Sequence, residues 1–349
     1  MRTEKENYYF GLNCRETGAE ILPSKFFPEF INSIKLLPLN DLLKIKLLDM
    51  TTSMRPDGLY EFKDDNGRIG LKDYTGKIIV KPKYTNIGLP DYRTRLSPVS
   101  ISFYDKNKNK TKLKWGVIDS GGIEIVKPQY DAATISWFHT KQNDYILLRN
   151  GSRYGFTNDK AKNNIIVKPE YSYLTLVNHK YALQQEIYKH KILIMAKKIG
   201  EENKYGIINL AGKVLIEPKY GAIFSYLTAN KFLITRLKKS FNGEVKLGLI
   251  TKFGRIFCEP IYDDIYDANY KSLIIAKYNG LYGILNSKGE LIVPHEYINI
   301  QYFRTVNSEI VEKLTGKREV MILAQARHSN GDWHYITKDG EVFENNKKR

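Results

Sequence analysis

The chain has 349 residues, with 55 Lys and Arg against 38 Asp and Glu and a formal charge of +17. Hydrophobic residues at 42% and charged residues at 27% suit a packed core and exclude wholesale disorder. No apolar run approaches the ~18–20 residues of a membrane-spanning helix, and 25 Tyr against 3 Trp points to β-rich structure, where an apolar ring with a polar tip is useful.

The start, Met1-Arg2-Thr3-Glu4-Lys5-Glu6-Asn7, is followed by no apolar signal-peptide region, so a cytoplasmic setting is expected. Cys14 and Cys258 are far apart and neither has a CxxC spacing, so both are read as reduced thiols at half-buried strand positions.

An early repeat unit carries Phe10-Gly11, Gly18, Pro23 and Phe26. Residues 28–57 then break the pattern with Leu- and Lys-rich sequence around Pro38. Asn40 or Asp41 is placed to cap a helix running to about Met50. A strand is the rival reading, because Leu43, Ile45 and Leu47 alternate with Lys44 and Lys46.

From there one pattern recurs. Trp115-Gly116-Val117-Ile118-Asp119 leads to Gly122 and then Pro128-Gln129-Tyr130. Tyr205-Gly206 leads to Gly212, Pro218 and Tyr220, and Tyr282-Gly283 leads to Gly289, Pro294 and Tyr297. Units starting at Gly70 and Gly248 repeat it, and in all five the marker Gly stands 6 residues before the turn Gly and 14 before the Tyr. The unit at Tyr154-Gly155 is two residues longer and offers Asn163-Asn164 in place of the turn Gly. The last unit has His334 at the marker position and Gly340 in the turn. About eight units result, with cores near 8–27, 58–90, 99–136, 145–176, 191–226, 231–266, 272–302 and 318–343, and 28–57 as a non-repeat insertion.

Each unit reads as antiparallel strands, with a strand before the marker Gly and a short one after the Tyr. Asp, Asn or Thr opens the turn by bonding its own backbone and Gly closes it with φ > 0. The marker Gly is read as a site of close backbone approach, and the Tyr as a core residue with its hydroxyl on backbone.

The motif from Trp115-Gly116 to Tyr130, and its Tyr205–Tyr220 and Tyr282–Tyr297 counterparts, resembles the WG-repeat family, known mainly from bacteria. Ile69 and Leu247 at the aromatic position and His334 at the Gly position depart from it. The resemblance implies a β-repeat architecture and an interaction role, and brings no catalytic residues. The expected fold is all-β: about eight tandem antiparallel meanders with one short helical insertion, as a propeller-like toroid in preference to an open β-solenoid.

Basic residues gather before the Gly strand: Lys106, Lys108, Lys110, Lys112 and Lys114, then Arg149 and Arg153, Lys197 and Lys198, and Lys238 and Lys239. In a repeat array such loops share one edge, so a basic rim is expected. It suits a polyanion, nucleic acid or an anionic surface, while Lys-rich tips also keep strand edges soluble. GxSxG, P-loop, GxGxxG and HExxH patterns are absent, and the six His have no metal-ligand spacing. The expectation is a non-enzymatic scaffold that uses its loops to engage a protein partner, without cofactor or metal; polyanion binding is the alternative.

Overall fold

The structure, a computed structural model, describes residues 10–13, 20–107, 109–140, 142–176, 192–224, 233–238, 245–251, 253–268, 270, 273–319 and 321–344. The chain divides into two compact units, Met1–Tyr171 and Ser172–Arg349.

The first unit opens with β1 (Phe10–Asn13) paired to β2 (Glu20–Phe26), then helices α1 (Pro28–Ile34) and α2 (Leu39–Thr52). The insertion is therefore two helices, not one. Leu42, Ile45 and Asp49 of α2 face inward at helical spacing, with Phe26, Phe30 and Ile34 in the same core. Neither Asn40 nor Asp41 caps α2. It begins after Pro38, whose fixed φ of −54° turns the chain into the helix without a side-chain cap.

A three-stranded sheet follows: β3 (Tyr60–Lys63), β4 (Ile69–Lys72) and β5 (Ile78–Tyr84). Next comes a four-stranded sheet of β6 (Asn86–Ile87), β7 (Ser97–Asp105), β8 (Lys110–Ile118) and β9 (Glu124–Tyr130). Another is formed by β10 (Ala132–His139), β11 (Asp144–Asn150), β12 (Arg153–Asn158) and β13 (Val167–Tyr171).

The second unit continues in kind. Its first sheet is β14 (Tyr173–Leu176), β15 (Ile192–Ile199), β16 (Glu202–Asn209) and β17 (Val214–Tyr220). Its second is β18 (Ala222–Phe224), β19 (Leu233–Lys238), β20 (Val245–Ile250) and β21 (Ile256–Tyr262). The last is larger: β22 (Asp264–Asp267), β23 (Ile274–Tyr278), β24 (Leu281–Leu285), β25 (Leu291–Ile300), β26 (Arg304–Val306), β27 (Met321–His328), β28 (Trp333–Thr337) and β29 (Val342–Glu344). Here β25 runs on past Tyr297 and pairs with β27, so the seventh and eighth repeats share one sheet. Helix α3 (Ser308–Thr315), not anticipated from sequence, packs Val311 with Val306 and Leu323.

All sheets are antiparallel meanders. The short strand after each buried Tyr pairs forward: β6, β10, β14, β18 and β22 each open the sheet of the next repeat. Within each unit, cores lie between successive sheets, as where Val80 and Tyr84 of one pack with Val99 and Ile118 of the next.

The marker glycines have a common cause. On β8 and β9, Trp115 faces Tyr130 and Val117 faces Val126, so one residue of β8, Gly116, opposes three of β9. Those three, Lys127-Pro128-Gln129, bulge over Gly116, where a Cβ would meet the main chain of Val126, Lys127 and Pro128. His334 replaces that Gly without conflict because β28 and β29 pair in regular register, His334 with Glu344 and Ile336 with Val342. Turn glycines behave differently: Gly122 has φ +80°, closing a turn in which Asp119 Oδ1 accepts the N–H groups of Gly121 (3.0 Å) and Ile123 (2.8 Å). In the longer fourth repeat, Lys162 and Asn163 take the left-handed conformation that Gly supplies elsewhere.

The motif tyrosines are buried, Tyr84 fully and Tyr297 at 3% exposure. Four of their hydroxyls bond to side chains, not to backbone as expected. Tyr84 donates to Glu124 (3.0 Å) and Tyr220 to Glu259 (3.4 Å), both on the corresponding strand of the next sheet. Tyr130 accepts from Gln129 (3.2 Å), and Tyr297 meets His334 Nδ1 (3.3 Å). For Tyr84 and Tyr220 the ring lies between sheets, so its tip reaches the neighbouring sheet before it reaches its own main chain. Burial is the main cause that raises the pKa of the Tyr84 and Tyr220 hydroxyls, and the adjacent carboxylates add to it.

Candidate functional site

The expected basic loops are the hairpin tips between the second and third strands of the sheets. They join β7 to β8, β11 to β12, β15 to β16, and β19 to β20. Lys108 and Lys239 lie outside the described residues, and so does the side chain of Lys238.

Two of the remaining cations are committed to carboxylates. Lys112 pairs with Asp105 across the hairpin. Lys114 pairs with Asp131 at 2.8 Å, and Asp131 Oδ2 accepts the Gly151 N–H (2.7 Å) at the tip of the next sheet's hairpin. Asp263 repeats this arrangement: Oδ1 takes Lys246, and Oδ2 accepts the Gly280 N–H at 3.1 Å. These two aspartates thus fasten one sheet to the tip of the next. Their bonded lysines hold both carboxyls below the ordinary carboxylate range, helped by the tip N–H groups. The interval from Lys to Asp is 17 residues both times, a signal visible in the sequence.

Arg149 donates to the Gly151 carbonyl (3.1 Å), and Lys197 also makes an interaction. Lys106, Lys110, Arg153 and Lys198 are exposed and carry none of the described ion pairs.

The β7–β8 hairpin is distinctive. Both strands have nine residues, and the ribbon overhangs the seven-residue β9. Its outer part exposes Phe103 (37%) and Tyr104 (57%), which alternation places on opposite faces. Lys114 Nζ lies 5.8 Å from the Phe103 ring centre, and the Tyr104 hydroxyl bonds Asn109 Oδ1. Lys106 and Lys110 sit at the end. The two aromatics escaped the sequence reading. Their signal is the adjacency of Phe103 and Tyr104, since an alternating strand cannot turn both toward one core.

Markers of the repeat recur at equivalent places: Trp115, Tyr205 and Tyr282 each stand directly opposite a buried Tyr, namely Tyr130, Tyr220 and Tyr297. Gly116, Gly206 and Gly283 follow them beneath the bulge. The sequence model of the WG containing repeat matches residues 69–91, 115–135, 205–235, 248–282 and 282–305. The chain belongs to the WG-repeat family. No curated protein matches it. Among solved structures, this WG-repeat chain is similar to a eukaryotic initiation factor (10% identity, 83% of this chain and 79% of that one, TM-score 0.26). It is also similar to TolB from Acinetobacter baumannii (9%, 82% and 79%, TM-score 0.21) and to a streptogramin B lyase (17%, 83% and 90%, TM-score 0.21).

One polar cluster lies apart from the tips. Asp91 Oδ1 accepts the Thr94 N–H (2.8 Å), the Thr94 hydroxyl (2.9 Å) and the Ser136 hydroxyl (3.1 Å), while Arg93 pairs with Asp144 at 2.9 Å. Burial raises the Asp144 carboxyl and, with the Arg93 charge, lowers His139. These bonds pin the loop before β7 onto β10 and β11. Asp264 bonds the Ile265 N–H (2.9 Å) beside Asp263, as a turn residue does. Among the described residues, no three His, Cys, Asp or Glu side chains converge to hold a metal, and no helix is long and apolar enough to cross a membrane. Cys258 is a half-buried free thiol on β21, and Cys14 lies outside the described residues.

Proposed function

We propose that this WG-repeat protein is a cytoplasmic, non-enzymatic scaffold whose hairpin tips engage a protein partner, with the β7–β8 ribbon as the principal contact. The supporting observation is the exposure of Phe103 and Tyr104 on a ribbon extending beyond its sheet. Exposed aromatics on a hairpin held by nine cross-strand residue pairs offer contact area at little ordering cost. Lys106 and Lys110 beside them favour an acidic segment on the partner.

Polyanion binding is the second reading, favoured by Lys106, Lys110, Arg153 and Lys198, exposed without a described carboxylate partner. Two variants separate the readings. Phe103→Ala with Tyr104→Ala removes the aromatic contact, and Lys106→Glu with Lys110→Glu reverses the tip charge. A protein partner retained from the native host is lost with the first pair and weakened by the second. Heparin retention at ~50 mM salt responds to the second alone. Failure of the wild type to bind heparin removes the polyanion reading, and partner capture indifferent to the aromatic pair removes the favoured one.

A further inference from the structure

Hairpin tips occupy one end of the four-stranded meanders, and the turns that join third to fourth strands occupy the other. Two of these turns, between β16 and β17 and between β20 and β21, border an open cleft of about 650 Å³. It is lined by Lys213, Val214, Leu215, Phe253, Gly254 and Arg255. That volume lies within the ~300–1,000 Å³ of small-molecule sites.

The main chain around the cleft is locked. Asn209 Oδ1 accepts the N–H groups of Ala211 (3.0 Å) and Lys213 (2.9 Å), and the Thr251 hydroxyl accepts that of Arg255 (3.2 Å). Gly254, at φ +75°, seats the second turn directly on Leu215, where a Cβ would come within 2.6 Å of Leu215 Cδ1. Lys213 and Arg255 thus start from fixed positions.

Three side chains depart from what the turn itself needs. The residue before the turn Gly is small or polar elsewhere, as Thr75, Gly121, Ala211, Lys288 and Asp339, but here it is Phe253, 63% exposed. The residue after the turn Gly is Lys213 in one sheet and Arg255 in the next. Other successive turns offer Lys77 with Ile123, Arg255 with Glu290, and Glu290 with Glu341. Lys213 and Arg255 are exposed, and their side chains make none of the described hydrogen bonds or ion pairs. Among the described residues no Asp or Glu lines the cleft, and Glu290 on the following turn is engaged by Asn286 (2.7 Å).

Two cations with no lining carboxylate select an anion, and a phosphate, close to −2 at neutral pH, matches both. Arg255 supplies a planar fork and Lys213 a point charge. Phe253 supplies a ring face on which a planar group can stack. We propose that this cleft binds a small molecule in which a planar ring carries a phosphate, as in a mononucleotide, with the phosphate between Lys213 and Arg255 and the ring on Phe253. An open site with one stacking ring gives a dissociation constant on the order of 100 μM.

Isothermal titration of the full chain in ~0.05 M salt with AMP, phenyl phosphate, inorganic phosphate and adenosine tests the site. AMP binds, and inorganic phosphate and adenosine are each at least about tenfold weaker. Lys213→Gln with Arg255→Gln weakens AMP by about thirtyfold or more with unchanged melting, since both side chains are exposed. Phe253→Ala weakens AMP about tenfold and leaves inorganic phosphate unaffected. AMP bound more tightly than phenyl phosphate supports the nucleotide, and the reverse order overturns that assignment in favour of an aryl phosphate. No binding of AMP or phenyl phosphate at ~5 mM overturns the inference, as does AMP binding indifferent to the double Gln variant. A short oligoadenylate held about a thousandfold more tightly than AMP, and insensitive to Phe253→Ala, assigns the two cations to a polyanion and equally overturns it.

Discussion

Replacing Gly116 by Ala tests whether the repeat is built around the bulge. The added methyl would stand 2.6 Å from the Pro128 nitrogen and 2.8 Å from the Lys127 carbonyl carbon, and closer still to the Val126 carbonyl oxygen. All three are main-chain atoms of β9, held by the Trp115–Tyr130 and Val117–Val126 pairings on either side. Relief requires the bulge to shift by about 1 Å, and overpacking against atoms that cannot rotate away costs about 3 kcal/mol. That is roughly a hundredfold in the folded-to-unfolded ratio. Gly151→Ala is the control, because its φ of +58° costs about 1 kcal/mol in strain while nothing lies within 4 Å of the new methyl. Urea unfolding followed by tryptophan fluorescence compares the two. Trp115 adjoins the substituted residue, and both glycines lie in the same compact unit. A Gly116→Ala protein no less stable than Gly151→Ala would refute the steric account of the marker glycine.

Asp131→Asn breaks the ion pair with Lys114 and weakens the bond to Gly151, and is expected to cost about 1 kcal/mol at neutral pH, read by urea midpoint. Its folded pKa lies below the unfolded value, so the contribution is present above about pH 4 and is lost as pH falls through the lowered folded value. Asp131→Asn should therefore flatten the stability profile below about pH 4 and leave its shape unchanged above pH 5; an unaltered acid limb contradicts the latch. Burial raises the Cys258 thiol to about 11, with Glu259 adding to it. In a Cys14→Ser background its alkylation at pH 8 should be about a hundredfold slower when folded than in denaturant, and equal rates would contradict its burial. Asn307 accepts the Ile310 N–H at the start of α3 (3.1 Å), so Asn307→Ala should cost about 1 kcal/mol of local stability, seen as faster hydrogen exchange over 308–315.

The repeat was legible because its parts act locally. Asp119, Gly122 and their counterparts make the turn with bonds that span four residues, and the marker Gly keeps one distance from the bulge it lies under. The partners of the lysines were harder to see, because Lys114 meets Asp131 only once β8 and β9 are in register. Tyr84 was legible as a buried ring, but its hydroxyl partner, Glu124, belongs to the next sheet. Helix α2 looked ambiguous because it is apolar on opposite sides: Ile45 points to the core, while Leu43 and Leu47 remain outside. For α3, Asn307 and Gly316 mark both ends, yet eight residues with one buried side chain, Val311, make too short a pattern to stand out.

The most direct test of the scaffold reading is quantitative capture from the native host by wild type, by the Phe103→Ala, Tyr104→Ala protein and by the Lys106→Glu, Lys110→Glu protein. The account predicts one protein enriched by wild type, lost with the aromatic pair and held more weakly after charge reversal. Capture unchanged by loss of both aromatics, or nucleic acid as the retained species, would contradict it.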